Sequence, residues 1–285
     1  MSHSNPSEVS VLICCKNSED YIDSCLQAIL IQNPLEIVVI DGDSSDQTVL
    51  IAKKYTSHVY SDEKRGLGYA RKLGVSKCSG QFIVIVSPDD AISSDFLSSA
   101  LAEIKMEDKI AALLAPKRMA NVLSFWDHGQ EAIYNLMQTL PLRVVGNPSI
   151  YRTKYLKTFP YDESFSACED TDLCERWSRA GLVVGWGKKF HTVEIENRDF
   201  NAFRDRYIWY GKGDYRFCKK WFEIDKKIAL RHFLHPFKNY IVKYTILLFI
   251  RGDIRAAVFS VLCGLFRYQG YVKEFRVLKS AERGQ

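Results

Sequence analysis

Long apolar runs are missing from this sequence. The two strongest, Tyr244–Ile250 and Ala256–Phe266, stop well short of the ~20 residues that cross a bilayer. Arg251, Asp253 and Arg255 lie between them. The opening residues, Met1 to Ser7, carry neither a basic segment nor an apolar core, so no signal peptide is expected. Cys-x-x-Cys pairs are absent too. The eight cysteines are scattered, and Cys14-Cys15 lies in an apparent core strand, which fits reduced structural thiols rather than disulfides or a zinc site. There is no internal repeat and no low-complexity linker. The basic residues near the C-terminus sit among apolar ones, not on a polar face studded with aromatics, which excludes an ordinary nucleic-acid-binding surface.

What remains is a globular composition, 47% hydrophobic and 26% charged over 285 residues, enough for one large domain with a substantial appendage. The net charge of +5 is unevenly spread. Residues 1–197 carry 20 Lys+Arg against 26 Asp+Glu, or −6, whereas residues 198–285 carry 19 against 8, or +11. A mildly acidic body with a basic tail points to an anionic partner for the tail, such as a membrane surface.

Strand and helix patterns alternate over the first hundred residues. Val9–Cys15, Glu36–Asp41, Ser57–Tyr60 and Phe82–Val86 read as strands. Tyr21, Ile22, Cys25, Leu26 and Ile29 recur at helical spacing after the capping-type residues Asn17 and Ser18, and residues 46–55 and 66–76 also read as helices. Such alternation implies βαβ units and a parallel sheet, which Ile110–Ala115 would extend. Phe125–Leu140 and Asp172–Ala180 read as further helices, with Gly181 ending the second. Gly146–Tyr151 reads as a turn entering a strand, and Leu182–Trp186 as another strand. The two apolar runs of the tail suggest a short helical hairpin lying in a membrane interface or packed on the enzyme. Lys238, Lys243, Arg251, Arg255, Arg267 and Lys273 would reach its anionic headgroups.

Three acidic clusters border strands. Ser87-Pro88-Asp89-Asp90 follows the buried strand Phe82–Val86, and Pro88 ends the ladder because it has no N–H to donate. Two adjacent carboxylates at a strand tip repel each other unless a cation or donors sit there. Ligands of open α/β sheets bind at the carboxyl ends of strands, and Mg²⁺ or Mn²⁺ suits such an oxygen-rich corner. Asp89 is the better ligand and Asp90 the better structural residue. Asp41, at the end of Glu36–Asp41, can accept from a base N–H or a ribose hydroxyl, while Asp43 and Asp46 suit turn and cap chemistry. Glu169-Asp170-Thr171-Asp172 opens a helix, where acids are favoured by the helix dipole, yet it can also offer a general base at a cleft.

In order along the chain, Val9–Asn17, Glu36–Thr48, Gly66–Gly74, Ser87–Asp90 and Glu169–Arg176 resemble family 2 glycosyltransferases of the GT-A fold over about residues 8–215. The resemblance implies an α/β fold, Rossmann-like, with a mostly parallel sheet flanked by helices. A C-terminal helical, membrane-associating tail would follow, with residues 1–215 as the transferase domain and 216–285 as the basic, apolar helical region. It also implies an enzyme that moves a sugar from a nucleotide-diphosphate donor to an acceptor hydroxyl with inversion, assisted by Mn²⁺ or Mg²⁺. Carried over by position, Cys15 and Glu19 line the nucleotide pocket, Asp41 reads the base, and Arg71 lies near the nucleotide. Ser87 and Asp89 take the place of the metal-binding Asp-x-Asp, Glu169 and Asp170 match the Glu-Asp motif with Asp170 as base, and His191 approaches the metal or diphosphate. Tyr210-Gly-Lys-Gly213 matches a segment read as a flexible flap.

Two positions depart from that pattern. Ser87 replaces the first Asp, leaving the metal one carboxylate short, and Cys14-Cys15-Lys16 replaces the commoner Pro-Thr-Tyr. Uridine is the commonest donor base of the resembled family. The basic tail favours a lipid-linked or envelope glycan as acceptor, at the inner, cytoplasmic face of the cell membrane. Two alternatives stay open: a non-catalytic, membrane-attached binding or scaffold protein on a degenerate transferase domain, kept alive by Ser87, and a sugar nucleotidyltransferase. The second is disfavoured because the loop after the first strand, Cys14 to Ser18, has no glycine to cradle phosphates.

Overall fold

β-branched and other apolar residues dominate the segments that pair in the centre of the molecule. The computed structural model describes residues 6–283. Its strands are β1 Val9–Cys15, β2 Glu36–Asp41, β3 Val59–Ser61, β4 Phe82–Val86, β5 Asp90–Ile92, β6 Ile110–Leu114, β7 Lys117–Met119, β8 Ser149–Arg152, β9 Val183–Trp186 and β10 Thr192–Glu194. Its helices are α1 Glu19–Leu30, α2 Thr48–Ala52, α3 Leu67–Lys77, α4 Phe96–Ile104, α5 Phe125–Gln138, α6 Thr153–Thr158, α7 Glu169–Arg179, α8 Phe200–Ile224, α9 Lys226–Phe233, α10 Thr245–Ile250 and α11 Ile254–Arg283.

The main sheet runs β3-β2-β1-β4-β8-β6-β9. The pairs β1–β2, β1–β4, β2–β3 and β6–β9 are parallel, whereas β8 is antiparallel to β4 and to β6. The sheet is therefore mostly parallel, and β6 joins it through an antiparallel neighbour. Alternate residues feed two cores, as a period of two requires. Val9, Val11, Ile13, Val84 and Val86 pack with α1 and α4 on one face. Leu12, Ile83 and Ile85 pack with Ala70 and Val75 of α3 and with Leu173, Cys174 and Trp177 of α7 on the other. All eight cysteines are free. Burial pushes the thiols of Cys14, Cys25, Cys78 and Cys174 up to about 12, so they remain neutral core residues.

Some boundaries differ from the sequence reading. The helix expected over 46–55 is confined to Thr48–Ala52, because the Asp46 carboxylate accepts from the Thr48 amide and hydroxyl and so fixes the turn before it. Helix α7 starts at Glu169, so the acidic cluster Glu169–Asp172 forms its first turn, ahead of the pattern read over Asp172–Ala180. Cys168 takes up a left-handed conformation (φ 64°) at its N-cap, which turns the chain sharply into the helix.

The described residues divide into two compact units, one of residues 6–120 and 140–196 and the other of residues 121–139 and 197–283. The boundary read at 215/216 falls inside α8. The second unit comprises α5 and α8 to α11, with a π-helical segment, Pro236–Tyr244, before α10. The tail is a helix–turn–helix, as the two apolar runs suggest, but α11 extends for 30 residues. Among the described residues no helix is long and apolar enough to cross a membrane.

Tyr210–Gly213 is not a flap. It lies in the middle of α8, with Gly211 and Gly213 buried. A Cβ on Gly211 would collide with the backbone of Arg267, and one on Gly270 with the backbone of Ile208, so the glycines let α8 and α11 cross at close range. Arg267 is likewise unavailable to headgroups. It is buried, and its Nε and Nη2 donate to Asp214 at 2.8 and 2.6 Å. His232 lies 2.7 Å from the same carboxylate. Gly211→Leu should cost at least about 3 kcal/mol by forcing the two helices apart. Gly252→Ala, at an open turn with φ +79°, should cost about 1 kcal/mol through backbone strain alone. Urea denaturation of both variants checks the order, and equal costs would refute the close crossing.

Candidate active site

Parallel strands β1, β2 and β4 end side by side. Cys15 pairs with Asp41 in register, and Ser87 follows Val86, which pairs with Ile13. These carboxyl ends carry the first group of expected residues. Asp41 is buried and accepts from the amide and hydroxyl of Ser44 at 3.0 and 2.5 Å. That bonding closes the loop after β2 and fixes the carboxylate. Burial, and then the charge of Asp41, raises the Cys15 thiol far above its usual range, so it offers bulk but no thiolate. Glu19 is exposed and lies in a reciprocal latch. Its amide donates to Asp46 at 3.1 Å and its carboxylate accepts from the Gln47 amide at 2.9 Å, tying the start of α1 to the loop after β2.

A second group forms around Arg71. Asp62 is buried and accepts from the amides of Lys64 and Gly66, shaping the turn into α3. Gly68 then sits against the loop before α7, where a Cβ would come within 2.5 Å of the carbonyls of Asp162 and Phe165. This close approach brings Arg71 to Glu169, at 2.8 Å between Nη1 and Oε1, with both side chains almost wholly buried. The guanidinium also lies over the Tyr161 ring at 5.5 Å. Burial drives the Glu169 carboxyl upward, Arg71 opposes it and the neighbouring Asp170 adds to it, leaving a net rise.

Asp170, next in sequence, is only half-buried. Its Oδ1 accepts from the Thr171 amide at 2.6 Å and from the Thr171 hydroxyl at 3.3 Å. Its Oδ2 faces Gly146, where an added Cβ would lie 3.9 Å away. Asn147 connects this group to β4. The amide atom that faces Arg71 Nη2 at 3.1 Å is also 3.3 Å from Ser87 Oγ, and the Arg71 contact requires it to be the oxygen. Arg71, Ser87 and Glu169 are thus linked through one amide and one ion pair, and Asp170 adjoins them as the sequence neighbour of Glu169.

The third group is built on a small sheet, β5-β10-β7, in which Glu194 of β10 pairs with Asp90 of β5 and with Met119 of β7. Asp90 is buried and paired with Lys117 at 2.5 Å, and Lys117 also lies 3.7 Å from Glu194. Burial pushes the Asp90 carboxyl up to about 6, against the pull of Lys117 and with help from Asp89 and Glu194. Asp89 stays partly exposed, and its carbonyl accepts from the Ile195 amide at 3.0 Å. The carboxylates of Asp89, Glu194 and Glu196 lie within 4.8 Å of one another. An all-carboxylate oxygen set suits a hard divalent cation such as Mg²⁺ or Mn²⁺. His191 lies outside this group. Its side chain is exposed and acts on Asp95, whose carboxyl it helps to lower behind the larger effect of Ser93. Sequence reasoning passed over Glu194 and Glu196, although the alternation Thr192-Val-Glu-Ile-Glu196 puts both acids on one face of a strand.

The Asp90–Lys117 pair yields a pH test. A carboxyl raised by folding binds protons more readily in the native state, so its contribution to stability declines as pH rises from about 4 to about 6. Lys117→Met leaves a lone buried carboxylate and should cost about 3 kcal/mol near pH 7. Near pH 5, where Asp90 takes up a proton in the variant, the cost should be clearly smaller. Urea denaturation at the two pH values measures this, and a pH-independent cost would refute it.

The comparisons agree with this architecture. The Mycobacterium tuberculosis glucosyl-3-phosphoglycerate synthase, solved with Mn²⁺, UDP-glucose and phosphoglyceric acid, superposes with a TM-score of 0.56 at 16% identity, over 74% of this chain and 78% of that one. The mannosyltransferase PcManGT of Pyrobaculum calidifontis, solved with GDP-mannose and Mn²⁺, superposes with a TM-score of 0.67 at 13% identity, over 94% of this chain and 87% of that one. At these identities the likeness establishes the GT-A fold. Among curated sequences, glycosyltransferase GlyA of Streptococcus pneumoniae is 27% identical over 206 residues, which is 68% of this chain and 26% of GlyA. This chain spans well under half the length of the curated relatives it matches most strongly. The model of glycosyl transferase family 2 matches residues 10–168, more than half of the sequence, and the chain belongs to that family of transferase enzymes.

Proposed function

We propose that the chain is an inverting glycosyltransferase that moves a sugar from a nucleotide-diphosphate donor, a UDP-sugar by family habit, to an acceptor hydroxyl. The observation that carries this reading is the setting of Asp170. It is a half-exposed carboxylate on the first turn of α7, next in sequence to Glu169 of a buried Arg71–Glu169 pair whose arginine Asn147 connects to Ser87 at the end of β4. The two solved neighbours hold UDP-glucose and GDP-mannose, which supports the donor class and leaves the base to the loop around Asp41.

Asp170 takes the proton of the acceptor hydroxyl. The hydroxyl oxygen bonds to the anomeric carbon as the bond from that carbon to the diphosphate oxygen breaks on the opposite face, and the nucleoside diphosphate leaves. The bonds from Thr171 orient the base, and Gly146 leaves room in front of its Oδ2. Arg71 and Glu169 keep α3 and α7 together behind it. Ser87 and Asp41 supply polar contacts for the ribose and base, with Cys15 and Glu19 framing the nucleotide side. Mg²⁺ or Mn²⁺, held by Asp89 with Glu194 and Glu196, would supply Lewis-acid stabilisation of the leaving diphosphate. The two glutamates make up for the carboxylate that Ser87 lacks, and the exposed His191 is left to approach the donor from outside the carboxylate group. A lipid-linked or envelope glycan is the acceptor class, with the enzyme peripheral to the inner face of the cell membrane, as the +11 charge of residues 198–285 supports.

Asp170→Asn should lower transfer by at least about 100-fold, while nucleoside diphosphate with Mn²⁺ still raises the melting temperature. Unchanged transfer would overturn the assignment of the base. Replacing both Glu194 and Glu196 by Gln should abolish the Mn²⁺-dependent part of that thermal shift, read against the same protein in chelator. A full shift in the double variant would return the metal to Asp89 alone.

A further inference from the structure

Between α10 and α11 the chain turns through Arg251, Gly252 and Asp253. Around this turn Phe249, Ile250 and Ile254 are 63%, 74% and 61% exposed. Ile246, one turn earlier on α10, and Val258, one turn later on α11, are also exposed and continue the same helix faces at spacings of three and four. Leu265 and Val272 prolong the α11 stripe. These residues are not an amphipathic helix turned inside out. Leu248, Ala256, Ala257 and Phe259, on the opposite faces, are buried as a core requires. The outer apolar stripe is therefore additional to what folding needs, and a contiguous exposed patch of this kind marks an interaction surface.

The charge around the patch identifies the partner. From residue 226 to residue 273 there are nine Lys+Arg and one acid, Asp253. That acid is engaged within its own unit: His128 Nε2 lies 3.0 Å from its carboxylate, and the Ala256 amide donates to it at 2.9 Å. Arg251 and Arg255 are exposed at the apolar tip, and Lys243 and Lys238 are exposed on the segment that leads into α10. A second copy of the chain would bring the same cations against these. A bilayer with anionic headgroups offers acyl chains for the tip and phosphates for the ring of cations.

We propose that the α10–α11 turn is an interfacial anchor for an anionic lipid surface. Phe249, Ile250 and Ile254 enter the boundary between headgroups and acyl chains, while Lys243, Arg251 and Arg255 engage the phosphates and their stems cover the adjoining apolar surface. The helices lie in the interface and do not cross it, since among the described residues no helix is both long and apolar enough to span a bilayer. The inference rests on the membrane location proposed above and gives it residues. It is independent of the sugar-transfer chemistry.

The test is sedimentation of the full chain with phosphatidylcholine vesicles, with and without phosphatidylglycerol. Binding is expected to the anionic vesicles and to weaken with salt. Ile250→Glu with Ile254→Glu should lower it by more than about tenfold. Arg251→Gln with Arg255→Gln should lower it by roughly 25-fold, at about fivefold per charge. Neither pair should alter the thermal shift with nucleotide and Mn²⁺, which shows that the variants are folded. A Phe249→Trp reporter should shift its fluorescence to the blue on anionic vesicles. Absence of binding to anionic vesicles would overturn the membrane location itself. Binding that both double variants retain would keep the location and overturn the anchor. Self-association in sedimentation velocity that Ile250→Glu with Ile254→Glu abolishes, without vesicle binding, would assign the patch to a second copy.

Discussion

A guanidinium and a carboxylate, each almost wholly buried, meet at 2.8 Å between α3 and α7. Taking two ions out of water costs several kcal/mol each, and only close geometry and further partners recover it. Arg71 has a close carboxylate in Glu169, the Tyr161 ring and the Asn147 amide, while its buried Nε has no hydrogen-bond partner, so the recovery is partial. The pair can form only if α3 and α7 approach closely, and the bare backbone of Gly68 against Asp162 and Phe165 allows that approach. Asp170 adjoins Glu169 in sequence, so its place is set by the same contact. Removal of either ion would leave the other buried and without its counter-charge, a strongly destabilising change.

The acidic doublets follow a common logic. In Asp89-Asp90 and in Glu169-Asp170, one member is buried and neutralised by a cation while the other stays partly exposed. The buried acid anchors the turn. The other acid is the one that solvent can reach. Burial raises the carboxyls of Asp90 and Glu169 because it penalises the charged form, and Lys117 and Arg71 hold that rise in check. Two adjacent residues of the same chemistry thus acquire different properties from their surroundings alone.

The helical unit segregates its charge. Asp214 gathers Arg267 and His232 inside, and the two glycines at the α8–α11 crossing bring Arg267 within reach. Burial works against the Asp214 carboxylate, but Arg267 and His232 outweigh it and hold the group well below the usual range. The remaining cations of the tail, with few acids to pair with, lie outward beside exposed aliphatic and aromatic side chains.

Much of the fold was legible in the sequence. Runs such as Phe82–Val86 and Val9–Cys15 have the β-branched density of buried strands, and their spacing around α1 and α3 is that of βαβ units. The order of motifs pointed to family 2, and Asp41, Asp89 and Asp170 stand out in the sequence because they lie at strand ends and a helix start, which are local features. Glu194 and Glu196 do not, since they join Asp89 only through the pairing of β10 with β5, more than a hundred residues apart. The same limit explains the glycines of α8, which read as a flap and are a helix crossing, and Arg267, which reads as a surface cation and is buried on Asp214. The sequence by itself determined the elements and the inventory of acids, because propensity and periodicity act over a few residues. The tertiary structure decided which acids share a site and which charges face water, because burial and ion pairing depend on what distant segments bring alongside.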